Sequence, residues 1–146
     1  MNVLLNLKKI NYDSIYYNNP VINTVLSNNS EFIKLFYSNE NIVLNGIYFQ
    51  LNFSFTDISE NNNKVIFVYN VSKNIESINE IIDIEKKILS KFSDYNPNYL
   101  LKDIFTKGSL RVFGEKKSTN ILFLKISGIW KTDREVGVTY KINYVN

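Results

Sequence analysis

The chain has 146 residues, of which 45% are hydrophobic and 14% aromatic, and its formal net charge is +3. This length and composition predict one domain, residues 1–146, with a single packed core, and they exclude a disordered chain. The absence of Cys and His excludes disulfides, thiol nucleophiles, Cys/His zinc sites and His-based catalytic triads.

The charge is unevenly distributed along the chain. Residues 1–100 contain 8 basic and 10 acidic side chains, whereas residues 101–146 contain 9 basic and 4 acidic ones. A positive surface is therefore expected in the C-terminal third. No apolar run approaches the roughly 20 residues that span a bilayer, and the N-terminal residues lack the charge order of a signal peptide. We expect an intracellular, soluble protein with no membrane partner.

The N-terminal part predicts only short elements. Residues 3–10 contain a run of aliphatic side chains that favours a first strand, and residues 11–29 are expected to be irregular. Ser30 is expected to cap a short helix that ends at Tyr37, because an acidic residue follows Ser30 in the first turn.

The next part of the chain predicts a hairpin. Hydrophobic and polar side chains alternate from Ile47 to Phe55, which is typical of a half-buried antiparallel strand. Asp57–Asn63 is expected to form the turn, since Asn tolerates left-handed backbone conformations. Val65–Val71 is then the returning strand.

The main helix is expected at about residues 75–92. Isoleucine, leucine and phenylalanine recur there at spacings of three and four, and acidic side chains precede basic ones, as the helix dipole favours. A second, shorter helix is predicted at Tyr99–Thr106, ending near Gly108.

Three further strands are predicted in the last third, at Leu110–Phe113, Ile121–Trp130 and Val136–Tyr144. Together the elements predict an α+β fold that is mainly antiparallel β. We expect a five- to six-stranded OB-like barrel or sandwich with the main amphipathic helix inserted between the strands.

One face of these strands carries aromatic and basic side chains and almost no acidic ones. By alternation Arg111 and Phe113 project together, as do Phe123 and Lys125, while Lys141 projects from the last strand. If the strands are neighbours, such a face suits single-stranded nucleic acid, whose bases stack on rings and whose phosphates attract cations. Alternatively, the helix covers this face and makes the two phenylalanines part of a second core.

Other residues near this hairpin are weaker candidates. Lys131 and Arg134 flank a turn of mixed charge, which is either a solvated tip or a pair of phosphate contacts. Alternation points Tyr140 away from Lys141. Alternation also groups Trp130 with the core-facing side chains, so this residue is predicted to lie in the core or at its rim.

The sequence predicts no enzymatic activity, no cofactor and no metal site. Its neighbouring carboxylates, such as Glu80 with Asp83 and Asp133 with Glu135, are more typical of solvated helix faces and turns than of acid–base pairs. Lys107-Gly108-Ser109 lacks the remainder of a phosphate-binding loop.

Several segments resemble a small protein of large nucleocytoplasmic DNA viruses. They are Ile82–Leu89, Gly108–Phe113, Leu124–Thr132 and Gly137–Lys141. In that family the ending resembles K-I-S-G-I-W-E-T followed by Y-G-L-T-Y-K; here Lys131 replaces the acid and Val136 the tyrosine. The resemblance covers less than half of the chain. The ending is also similar to that of viral and phage single-stranded-DNA-binding proteins of OB-fold type.

This resemblance implies a replication-associated viral protein that binds single-stranded nucleic acid, with DNA favoured, in the host cytoplasm or a viral factory. The expected nucleic-acid contacts are Arg111, Phe113, Phe123, Lys125, Lys131, Arg134, Tyr140 and Lys141. The alternative is a non-enzymatic structural or protein-interaction component of a virion or virus factory, acting through a strand edge or the main helix. Formation of a homo-oligomer is left open.

Overall fold

The computed structural model describes residues 4–22 and 30–145. Within these residues the chain forms two α-helices, α1 (Ile75–Leu89) and α2 (Leu100–Phe105), and eleven strands. The strands are β1 (Ile15–Tyr17), β2 (Val21–Ile22), β3 (Glu31–Ser38), β4 (Val43–Leu44), β5 (Ile47–Leu51), β6 (Phe55–Asn61), β7 (Lys64–Tyr69), β8 (Asn96–Pro97), β9 (Ser109–Phe113), β10 (Leu122–Lys131) and β11 (Glu135–Tyr144). The fold is α+β and mainly antiparallel, as the sequence predicts.

Strand β10 organises the larger sheet. Its first half, Leu122–Ile126, pairs with β5, and its second half, Gly128–Lys131, pairs with β3. Strand β11 runs antiparallel along the other side of β10. Because β10 changes partner halfway along, the sheet curls strongly into a half-barrel, an arrangement consistent with the OB-like class. Strands β6, β7 and β9 form a separate three-stranded sheet.

The core lies inside this curl, where α1 packs. Ile78, Ile81, Ile84 and Ile88 of α1 are at most 1% exposed, and they share one hydrophobic cluster with the inward-facing side chains of both sheets. The helix therefore lies against the inner face of the large sheet. This placement excludes the alternative in which the helix covers the opposite face, which we term the outer face.

The predicted helices are present with shifted ends, but the predicted hairpin is only partly present. Its first strand, Ile47–Phe55, is divided: β5 pairs with β10 in the large sheet, and the hairpin partner of β7 is β6, which begins at Phe55. Most of the expected turn at Asp57–Asn63 belongs to β6, and the turn itself is only Asn62-Asn63, both with positive φ (50° and 64°). Two consecutive left-handed residues make a tight turn that matches the twist of a hairpin. Helix α1 ends at Leu89, three residues earlier than expected, and α2 is slightly shorter than predicted.

The prediction of a helix from Ser30 to Tyr37 is wrong, since this segment is strand β3. Ile33, Leu35 and Tyr37 point into the core, so burial follows a period of two. The β-sheet pairing with β10 overrides the capping signal at Ser30. The large sheet therefore contains a long strand that the sequence did not predict, and β1, β2 and β4 pair with it.

The predicted N-terminal strand is also wrong in its described part. Leu5 makes one isolated parallel bridge to Phe49, and Leu7–Lys9 is a turn of 3₁₀-helix capped by the side chain of Asn6. The segment expected to be irregular contains the short strands β1 and β2, and its residues 23–29, like residue 3 of the predicted strand, lie outside the described residues.

A β-bulge divides β10. The register shifts between Ile126 and Gly128, so Ser127 is an extra residue opposite β11. Alternation is reversed beyond this point: Ile129 is fully buried in the core, and Trp130 turns to the outer face, where it is half-buried. The predicted grouping of Trp130 with the core-facing side chains of β10 is therefore corrected, because simple alternation fails across a bulge.

Candidate nucleic-acid interface

The expected outer face forms on three adjacent strands. Lys125 of β10 lies directly between Tyr48 of β5 and Lys141 of β11 in the pairing register. Phe123 lies in the same way between Gln50 and Asn143. The prediction of a shared face is thus confirmed for Phe123, Lys125 and Lys141. It is wrong for Arg111 and Phe113, which lie on β9 in the small sheet. We refer to Tyr48, Lys125 and Lys141 as the basic row.

The aromatic side chains beside the basic row are covered. The Nζ atom of Lys125 lies 5.0 Å from the centroid of the Tyr48 ring, and this ring lies 6.1 Å from that of Phe123. Both rings are only 9% exposed. As placed, Phe123 supports Tyr48 and Lys125 and does not offer a ring face for stacking. Lys117 lies beside them and, with Lys125 and Lys141, lines a shallow cavity of about 350 Å³.

A larger cavity of about 590 Å³ opens between β9, β11 and the end of α2, and we term it the seam cleft. On one side of the cleft lies β9, an edge strand of the small sheet. On the other side lies the part of β11 after Val136, where the pairing of β11 with β8 has ended. Its lining residues are Lys64, Ile104, Lys107, Ser109, Leu110, Arg111, Phe113, Tyr140, Lys141, Ile142 and Asn143. The seam cleft thus brings together four of the predicted contacts, from two different sheets.

The seam cleft combines cationic side chains, which suit a bound anion, with one exposed aromatic ring. Its described lining contains four cationic side chains and no Asp or Glu; the cations are Lys64, Lys107, Arg111 and Lys141. Phe113 is 78% exposed, and the Nζ atom of Lys64 lies 5.7 Å from the centroid of its ring. A phosphate in the cleft would meet cations from several strands, while a base could stack on Phe113.

Lys64 and Lys107 were not predicted from the sequence as contacts. Lys64 reaches the cleft because it pairs with Phe113 across β7 and β9. Lys107 does so because it lies in the turn between α2 and β9. The placement of Lys64 thus depends on pairing of the strands β7 and β9, which are far apart in sequence. The uneven charge of residues 101–146 was the only sequence signal for Lys107.

Tyr140 faces inward, as alternation predicts, yet still lines the seam cleft because β11 is an edge there. Burial raises the pKa of Tyr140, and the nearby negative charge of Glu85 raises it further. The phenol therefore keeps its proton at neutral pH and is available as a hydrogen-bond donor to a bound phosphate or base.

Lys131 and Arg134 lie at the far end of the β10–β11 hairpin and are not brought to the cleft. Six residues of strand separate Lys131 from Lys125, which corresponds to about 20 Å. The Nζ atom of Lys131 lies 3.9 Å from the Glu31 carboxylate and 4.9 Å from the centroid of the Tyr95 ring, and its side chain is only 15% exposed. Arg134 is exposed in the turn.

Two further properties concern cofactors and membranes. In the described ranges, no group of three or more Asp and Glu residues is close enough to hold a metal ion. No helix within these ranges has the length and apolar character needed to cross a membrane.

Comparisons with protein-family models, with curated proteins and with solved structures found no significant match for this chain. The resemblance to a viral protein therefore depends on the sequence motifs alone and stays a prediction.

Proposed function

We propose that this protein binds single-stranded nucleic acid, DNA by preference, along the seam cleft and the basic row. The main support for the proposal is that the seam cleft and the basic row are continuous. Lys141 and Asn143 line both the seam cleft and the shallow cavity beside Lys125, so the two cationic sites are joined.

In this proposal the cations position the backbone and Phe113 receives a base. Lys64, Lys107, Arg111 and Lys141 contact successive phosphates, and the guanidinium of Arg111 can bind two phosphate oxygens at once. Such contacts read the charge and flexibility of a single strand and carry no base sequence. Binding is accordingly expected to tolerate different sequences and to weaken with salt.

The viral resemblance suggests where such an activity is used. A small protein that binds single strands without catalysis is suited to replication, and for a large DNA virus this occurs in the host cytoplasm or a viral factory. The proposal is therefore a non-enzymatic, replication-associated role.

Fluorescence anisotropy with labelled oligo-dT at two salt concentrations tests the proposal. We expect a Kd in the micromolar range or below at low salt, and a steep loss of affinity as salt rises, because released counterions accompany each phosphate contact. Replacing Lys125 and Lys141 together by alanine should lower the salt slope by about 1.4 to 2 units, at 0.7 to 1 per lost contact.

The matched control is the double substitution Lys73→Ala and Lys86→Ala. It removes the same charge from exposed positions that line neither cavity, and it should leave the slope unchanged. Absence of binding at low salt would contradict the proposal. It would favour the protein-interaction alternative, for which β6, an end strand of the small sheet, is a free edge within the described residues.

A further inference from the structure

Beyond the bulge, the outer face carries two aromatic rings that cover glycines. A Cβ atom on Gly137 would fall 2.4 Å from Cζ2 of Trp130, and one on Gly128 would fall 2.5 Å from Cζ of Phe32. Each ring thus occupies the space directly above a glycine of the sheet. Both rings are half-buried, so part of each remains exposed to solvent.

These rings belong to a larger group that we term the outer aromatic patch. It consists of Tyr16, Phe32, Phe36 and Trp130, with Lys34 among them. Phe32 pairs with Trp130 between β3 and β10, and Tyr16 pairs with Phe36 between β1 and β3. The Nζ atom of Lys34 lies 5.3 Å from the centroid of the Phe36 ring, and Tyr16 is 55% exposed.

The patch is continuous with the basic row on the same face of the sheet. Lys34 pairs with Gly128, three residues along β10 from Lys125. Gly137, under the Trp130 ring, is four residues from Lys141 on β11, a distance of about 13 Å. Among the outward-facing described residues of β3, β10 and β11, the only carboxylate is Glu135 at the far end of the hairpin.

We infer that a nucleic-acid strand bound at the basic row continues past the bulge onto the outer aromatic patch, where bases stack on Trp130 and Tyr16 and Lys34 contacts a phosphate. This inference rests on the proposed function and extends it to residues outside the seam cleft. Aromatic rings interleaved with a cation are the recurring arrangement for sequence-tolerant single-strand binding.

Trp130 is the only Trp of the chain, so its fluorescence reports on this patch alone. Titration of the protein with oligo-dT is followed by Trp emission and by anisotropy of a labelled oligonucleotide in parallel, with N-acetyltryptophanamide as the control for absorption by DNA. We expect emission to be quenched with the same midpoint as the anisotropy change. Binding by anisotropy with unchanged Trp emission would overturn this inference and leave the proposed function standing. Absence of binding by anisotropy would overturn both.

A pair of variants separates stacking from an indirect change around Trp130. Tyr16→Ala should weaken oligo-dT binding about five-fold or more, because it removes an exposed ring from the patch. Ile75→Ala removes a comparably exposed hydrophobic side chain from the start of α1 and should leave the Kd unchanged. Equal Kd values for Tyr16→Ala and the wild type would place the bound strand elsewhere and overturn the inference.

Discussion

At the scale of single residues, exposure separates the aromatic side chains that can contact a ligand from those that support the sheet. Phe113 and Phe123 were both predicted to project beside basic side chains, yet Phe113 is 78% exposed and Phe123 only 9% exposed. The difference comes from neighbours: Phe113 lies on the edge strand β9, whereas Phe123 lies between two strands and beside Tyr48. In the proposed complex, Phe113 is therefore the ring on which a base stacks.

Replacing Phe113 by alanine should weaken oligo-dT binding about 5- to 150-fold, the range for loss of one stacked base. The salt slope should not change, because no charge is removed. Unfolding in urea should show a change of less than about 0.5 kcal/mol, since the ring is mostly exposed. Phe113→Tyr keeps the ring and should bind like the wild type; equal weakening by both variants would argue against stacking.

Gly137 offers a second test at this scale. A methyl group at this position would collide with the Trp130 ring, so Gly137→Ala should destabilise the fold by about 1 to 3 kcal/mol, as overpacking does. Urea unfolding measures this loss, and Trp emission should shift to the red as the displaced indole enters solvent. Unchanged stability and emission would mean that the ring does not lie over Gly137.

At the scale of elements, the bulge at Ser127 decides which side chains of β10 face outward. Deleting Ser127 should remove the register shift while Gly128 stays opposite Thr139 and Ile129 stays opposite Val138, so the side chains of β10 keep their faces. We expect the deletion variant to unfold cooperatively in urea but to be less stable than Ser127→Ala, because the bend that the bulge gives β10 is lost. Ser127→Ala is the control: it removes only the hydroxyl that donates to the Thr139 carbonyl at 3.3 Å, a loss of about 1 kcal/mol. Equal stability of the deletion variant and Ser127→Ala would show that the bend is dispensable, and loss of cooperative unfolding would contradict the register described here.

A buried carboxylate connects the two helices. Glu85 of α1 accepts hydrogen bonds from the backbone N–H groups of Leu101 and Lys102, at 2.8 and 3.1 Å, and so binds the N-terminus of α2. Burial raises the pKa of Glu85, although these two bonds lower it. The folded state therefore holds the Glu85 proton more tightly than the unfolded state.

This raised pKa predicts how stability depends on pH. A folded pKa above the unfolded one contributes stability at low pH that is lost as pH rises through the folded pKa. The free energy of unfolding of the wild type relative to Glu85→Gln should therefore increase as pH falls from 7 toward 4.5, the ordinary pKa of the side chain. Urea unfolding of both proteins at several pH values measures this difference, and an opposite slope would contradict the assignment.

At the scale of the whole molecule, local patterns of hydrophobic residues predicted the strands and helices. Pairing between distant segments determined which residues line the candidate site. The alternation from Ile47 and the helical periodicity after Ile75 were strong enough to give β5, α1 and the fold class. The change of partner along β10 and the approach of β9 to β11 depend on contacts between distant segments. Lys64 was missed for this reason, and Trp130 was placed on the wrong face because a bulge leaves little trace in the pattern of residue types.

We propose above all that single-stranded DNA lies in the seam cleft, and photo-cross-linking tests this proposal most directly. The full-length protein is irradiated with an oligo-dT in which single thymines are replaced by 5-iododeoxyuridine, and the cross-linked peptides are identified by mass spectrometry. We expect a cross-link to Phe113, the exposed ring among Lys64, Lys107, Arg111 and Lys141. Reproducible cross-links confined to α1 or β6, with none in β9 or β11, would contradict it.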